Sequence, residues 1–300
     1  MATSVFVIAI LFATCRGEVL STSRSLLNGN AINAEKIEAY MVPYQVDIRH
    51  NGQHVCSGAV LGIYDVLTTA HCVKWLRAED ITVIVGSIVL NATEGMNLVE
   101  EIQTHPLFDP YTLDYDAAII KVKVPFRFGS YVDSLPLPQV VDDIPPGSSA
   151  LVSGWASKSG NEDDFLRAAN VTVISQDDCN PMYPNQPGIS DRMICSGASL
   201  DASVPTGCLA DPGAPLVADG KLYGVASWGR ACTPGNPNVV VYTHISKLEH
   251  FTRRNTFIHR RAKAEVCAVL QLVSSLLPKI PVVPVWVISS RKFLLNLLSC

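Results

Sequence analysis

An all-β protein is what this sequence predicts, and three observations predict it. Between residues 40 and 245 the chain runs as one short β-branched stretch after another. Gly, Pro, Asn and Asp separate these stretches at turn-like intervals. No helical periodicity of any length appears before Ser246. Many short strands with regular turns argue a barrel or a sandwich, and the pattern alone does not choose between them.

Taken along the chain, the clearest strands are Tyr44-Gln45-Val46-Asp47-Ile48, Asp65-Val66-Leu67-Thr68, Ile81-Thr82-Val83-Ile84-Val85, Ala117 to Val122 and Lys221 to Ser227. Their branched side chains are stiff at χ1 and suit a pleated surface better than a helix. The last element is helical, Ser246-Lys247-Leu248-Glu249-His250-Phe251-Thr252-Arg253. There Ser246 is expected to cap the first turn, with Glu249 three residues on.

Composition bounds the rest. Of 300 residues, 48% are hydrophobic and 17% charged, enough apolar material for a full core and too much for a disordered chain. A net charge of −4 and basic runs no longer than Arg253-Arg254 and Arg260-Arg261 argue against a nucleic-acid partner. Residues 5–13 are apolar over signal-peptide length and Gly17 offers a cleavage site, so residues 1–17 are expected to be a secretory signal. Residues 18–25 then form a short propeptide-like segment, and residues 26–257 the folded domain. Residues 258–300 differ in kind: their apolar stretches are split by Pro278, Lys279, Pro281 and Pro284, which spoils a spanning helix. A packed or disordered extension, a membrane-associated tail and a partner-binding segment all remain open for them.

Nine cysteines suit an oxidising compartment. Cys15 is expected to leave with the signal, and Cys267 and Cys300 lie in the tail. The other six allow fifteen pairings by sequence alone.

Several motifs fall in a telling order. Cys56-Ser57-Gly58 precedes Thr68-Thr69-Ala70-His71-Cys72, and Asp114-Tyr115-Asp116-Ala117-Ala118-Ile119 follows. Then come Ser153-Gly154-Trp155, Cys208-Leu209-Ala210-Asp211-Pro212-Gly213-Ala214-Pro215, Ser227-Trp228-Gly229 and Tyr242-Thr243-His244-Ile245-Ser246. Singly, His71 reads as a structural histidine and Asp116 as a turn residue. Together the motifs resemble those of the chymotrypsin/trypsin-like serine peptidases, namely Thr-Ala-Ala-His-Cys, Asp-x-Asp-Ile-Ala-Leu and Cys-x-Gly-Asp-Ser-Gly-Gly-Pro. The resemblance covers about residues 26–257. It implies two packed antiparallel six-stranded β-barrels with a C-terminal helix and the site in the cleft between barrels. It also implies bridges Cys56–Cys72, Cys179–Cys195 and Cys208–Cys232, and neither cofactor nor metal. A further family bridge would need cysteines at Ala150 and Ala218, and both are alanine.

The resemblance makes His71 the general base and Asp116 the residue that orients it. Pro212 stands where the nucleophilic serine belongs. Proline has no hydroxyl and no N–H, so a nucleophile and one oxyanion donor are lost together. Such a donor is worth about 2.7–4 kcal/mol in comparable sites. Ala210 replaces the glycine that carries the second donor. In the substrate pocket, Thr206 takes the floor position and Val240 a wall position usually glycine. Ser227 matches a residue supporting the aspartate, while Trp228 and Gly229 form the substrate-facing edge. Leu26-Leu27-Asn28-Gly29 resembles the mature start Ile-Val-Gly-Gly, but Arg24 lies one residue too early for the usual cleavage. In the family the freed amine pairs with the acid matching Asp211. Asn91-Ala92-Thr93 and Asn170-Val171-Thr172 are glycosylation sequons.

The expectation is a secreted serine peptidase homologue without catalytic activity. It would act by binding extracellular proteins: proteases, their substrates or their inhibitors. Two alternatives stay open. A single base separates serine from proline codons, so an active endopeptidase would follow if Pro212 were an error. A surface protein tethered through residues 266–290 is the other.

Overall fold

The computed structural model describes residues 35–90, 92–155, 165–184, 186, 188–198, 211–229 and 239–255. Two closed antiparallel barrels account for most of them. The first joins β2 (Gln45–His50), β3 (Gln53–Val60), β4 (Asp65–Thr68), β7 (Ala118–Val122), β6 (Met96–Thr104) and β5 (Ile81–Val85) in that spatial order. The second joins β8 (Ser149–Gly154), β9 (Arg167–Ile174), β10 (Met193–Ala198), β13 (Val240–His244), β12 (Lys221–Gly229) and β11 (Pro215–Ala218), and β11 pairs back onto β8. A short β1 (Glu35–Lys36) pairs antiparallel with the start of β9. Closure leaves the six strands of each ring without a free edge. The barrel alternative is therefore the one realised.

Strand boundaries follow side-chain shape and turn chemistry. Between β2 and β3 the chain reverses at Asn51-Gly52, both in the left-handed region with φ of 52° and 83°. Asparagine and glycine tolerate that conformation, and a two-residue turn of this kind matches the twist of the flanking strands. Over Val66-Leu67 of β4 and Ile119-Ile120 of β7, side chains alternate between two apolar environments rather than between core and water. Val66 and Ile120, opposite each other, join the cluster inside the first barrel. Leu67 and Ile119, the next pair, join a second cluster with Trp155, Leu222 and Phe251 from the other half of the chain. That second cluster is the seam between barrels. Each such side chain taken from water contributes about 1.5–3 kcal/mol.

The chain ends its described part with a 3-10 turn, Ile245–Leu248, running into α2 (Glu249–Asn255). The expected cap at Ser246 is not formed. Ser246 lies inside the 3-10 turn, and its hydroxyl is 2.9 Å from His244 Nε2 instead of meeting a helix N–H. A buried ring nitrogen competes better for that hydroxyl than a helix terminus that water also reaches.

Two of the expected bridges are present, Cys56–Cys72 and Cys179–Cys195, with Cα separations of 6.3 and 6.4 Å. Cys208 and Cys232 lie outside the described residues, as do the expected signal, propeptide-like segment and extension. Ala218 and Ala150 both lie in the core cluster of the second barrel, on strands paired as Val217 with Leu151. The next step in that register brings the two alanines together, so methyl groups pack where a bridge is expected in the family.

Candidate active site

Strand β4 ends at Thr68, and the chain turns directly into α1 (Ala70–Val73), which carries His71 at its second position. Asp116 sits just before β7 and is completely buried. A buried carboxylate survives only with its lone pairs occupied. Here His71 N donates to Oδ1 at 2.8 Å, while His71 Nδ1 and the Ser227 hydroxyl both meet Oδ2, at 2.6 and 2.5 Å. Thr243 adds a bond from its hydroxyl to the Asp116 carbonyl at 2.7 Å. With Nδ1–H committed to the carboxylate, His71 Nε2 carries the free lone pair. Its ring is about a quarter exposed, and Nε2 lies 3.7 Å from the Cys72 sulfur. The group is thus set up as a base that could take a proton from something in the cleft. Cys56, His71 and Cys72 crowd together, but both sulfurs are spent in the bridge and offer no thiolate to a metal.

The segment in which the nucleophile is expected forms a tight turn, Asp211-Pro212-Gly213-Ala214. Ala214 N donates to Asp211 O at 2.8 Å, Gly213 has φ of +83°, and Pro212 is exposed at the corner. Proline followed by a residue of positive φ is the preferred content of a type II turn. A side chain at position 213 would also put its Cβ 2.0 Å from the Ser57 carbonyl, so only glycine fits. The loop keeps a well-formed backbone and presents a ring instead of a hydroxyl.

Sequence reasoning missed the polar cluster beneath this turn. Asp211 is buried; its Oδ2 accepts from Trp155 N at 2.6 Å and from the Ser57 hydroxyl at 3.2 Å. His54 Nε2 lies 3.7 Å from the same oxygen, and His54 Nδ1 is 2.8 Å from Asp47 Oδ1. Arg49 in turn bonds Asp47 at 2.7 Å. Burial pushes the Asp211 carboxyl above the usual carboxylate range, with the His54 ring, the Trp155 N–H and the Ser57 hydroxyl pulling against it. The available signal was Asp47 itself, a charge inside an apolar strand, which must find a partner when buried.

A second group missed from the sequence positions Asp116 from the other barrel. Arg192 donates to both oxygens of Asp114, at 3.0 and 2.6 Å, and the Ser190 hydroxyl adds a third bond at 2.9 Å. Burial raises the Asp114 pKa, but the Arg192 and Ser190 bonds outweigh it and hold the carboxyl below its ordinary range. The clamp fixes a short stretch in which Leu113 and Tyr115 adopt φ of 55° and 54°, an uncommon backbone for such side chains. Tyr115 stacks on His105 at 4.7 Å, which completes the support.

Of the residues expected to line the substrate pocket, Ser227 is buried, Trp228 half-buried and Gly229 exposed along β12. Trp228 packs edge-on to Tyr183 at 4.8 Å, and its Nε1 is buried with no hydrogen-bond partner among the described residues. Val240 stands opposite Gly229 and is buried with Ala226 and Tyr242 in the second barrel's cluster. Thr206, Ala210 and Asn91 lie outside the described residues. Asn170 is half-buried on β9, opposite Leu151.

Comparison with known proteins agrees with this architecture. The family model Trypsin matches residues 31–252. A trypsin of Simulium vittatum is 31% identical over 229 residues, covering 73% of this chain and 91% of its own. A vitellin-degrading protease of Bombyx mori is 31% identical over 227 residues, 75% of this chain and 84% of its own. Serine protease 1 of Rattus norvegicus is 35% identical over 214 residues, 69% and 81% of the two chains.

Proposed function

The chain belongs to the trypsin family of serine peptidases, and from that premise we propose that it is a secreted, non-catalytic member that works by binding. One observation carries the reading: the residue at the corner of the 211–214 turn is Pro212, which has no hydroxyl, while the His71–Asp116 hydrogen bond is kept. In a related triad enzyme the loss of the serine alone lowers turnover on the order of a millionfold. What then remains comes from oxyanion donors and binding, and proline removes a donor as well. Thr206, Ala210 and Val240 depart from the family pattern around the same site, which points to relaxed catalytic constraint. His71 and Asp116 then serve the fold, tying α1 to β7 and β12 next to the Cys56–Cys72 bridge.

A binding protein with this scaffold has partners of the kind the scaffold recognises: extracellular proteases, their substrates or their inhibitors. It would act as a decoy, cofactor or regulator of proteolysis. The mature protein, made recombinantly, is tested against a peptide-substrate library and a serine-directed phosphonate probe. No turnover and no labelling are expected; labelling within residues 208–215 sinks the proposal. Recovery of the full-length chain in culture medium checks secretion, and retention on cells would favour the tether at residues 266–290 instead.

A further inference from the structure

Outside the cleft, the first barrel carries an open groove of about 680 Å³, formed where the chain before β2 meets the ends of β5 and β6 and residues 131–132. That volume is within the ordinary range for a specific binding site. Its floor is apolar, with Val85 buried and Ile88 and Val132 half-buried. Tyr131 stands at the rim, 58% exposed. Among the described residues the lining holds two carboxylates, Glu38 and Glu94, both exposed, and no cation.

We propose that this groove binds an arginine side chain presented by an apolar segment of an extracellular protein partner. The occupant follows from charge and shape together. An apolar floor suits the methylene stem of a long basic side chain, which buries its length and keeps its head in water. A guanidinium head offers five donors in a plane, so it can bond a carboxylate and stack on a tyrosine face at once. An acidic occupant would be repelled by Glu38 and Glu94. None of these residues belongs to the His71–Asp116 site or the 211–214 turn, so binding here is independent of whether the cleft is catalytic. Ala92 and Thr93 of the Asn91 sequon also line the groove.

The test uses the full chain from secretory cells, treated with glycosidase so that a glycan does not stand in the way. Fluorescence anisotropy follows two labelled peptides, Leu-Val-Arg-Val-Leu and the same sequence with neutral citrulline for arginine. The arginine peptide is expected to bind with the weaker affinity at higher salt that an ion pair implies, and the citrulline peptide about tenfold less tightly. The double variant Glu38→Gln/Glu94→Gln changes only exposed side chains, so the fold is retained, and it should lose the same factor. Hydrogen exchange should slow at residues 85–95 and 131–132 when the arginine peptide is present. Equal binding of the two peptides, no effect of the double variant, or protection confined to the cleft overturns the proposal.

Discussion

The backbone N–H of Ser57 in the first barrel donates to the carbonyl of Pro212 at 2.8 Å, so the turn that should carry the nucleophile hangs on β3 by its main chain. The contact is indifferent to the side chain at position 212. What the proline contributes is a fixed φ at the corner of a turn that wants it.

Pro212→Ser is therefore expected to lower stability by about 0.4–1 kcal/mol, because the unfolded chain regains freedom while the folded turn is unchanged. Urea unfolding measures it. The same variant should show no appreciable hydrolysis of peptide substrates, since Ala210, Thr206 and Val240 remain. Substantial turnover would mean that Pro212 alone blocks the chemistry.

His54 is the partner that bridges Asp211 to Asp47. His54→Ala removes the ring from between two buried carboxylates and should cost about 1–3 kcal/mol, the penalty for leaving such a group unsatisfied. Faster amide exchange at residues 211–214 would accompany the loss. An unchanged exchange pattern would show that Trp155 N–H and the Ser57 hydroxyl hold the turn by themselves.

Arg192 and Asp114 join the two barrels next to Asp116. A double-mutant cycle with Arg192→Ala and Asp114→Ala should return a coupling of about 1–2 kcal/mol, above that of an exposed pair because two parallel charge-assisted bonds are lost. Coupling near zero would leave the stacking of Tyr115 on His105 as the real support of this stretch.

Stability should also depend on pH through His244. Burial drives its pKa down from 6.5 to about 4, with Asp143 opposing and Lys247 adding to the drop. The folded state therefore binds fewer protons than the unfolded one across that window. Stability is full above pH 6.5 and falls as the pH drops toward 4, by on the order of 2–3 kcal/mol. Denaturant midpoints at pH 7 and 4.5 should differ in the parent and converge in His244→Gln; parallel behaviour of the two proteins would assign the effect elsewhere.

The sequence made β4 and β5 legible residue for residue, because their β-branched runs end at clear turn signals. It made the His71–Asp116 pairing legible through motif order. The cluster Arg49–Asp47–His54–Asp211 was not legible, since it joins residues more than 150 positions apart and depends on how two barrels meet. The clamp at Asp114 was hidden for the same reason. Ser246 failed as a cap because a local rule knows nothing of the buried His244 ring beside it. Local chemistry could be read; closure and cross-barrel contacts are properties of the whole.

Apart from the paired Asp65 and Lys121 at one end, strands β4 and β7 turn one row of side chains into a barrel and the other into the seam. The same backbone thus serves two apolar interiors, and neither can be opened while the other stays shut. The consequence is mechanical unity. Although the chain draws two closed rings, calorimetry should record their melting as a single transition, and a cut between residues 122 and 149 should yield halves that fold only in each other's company.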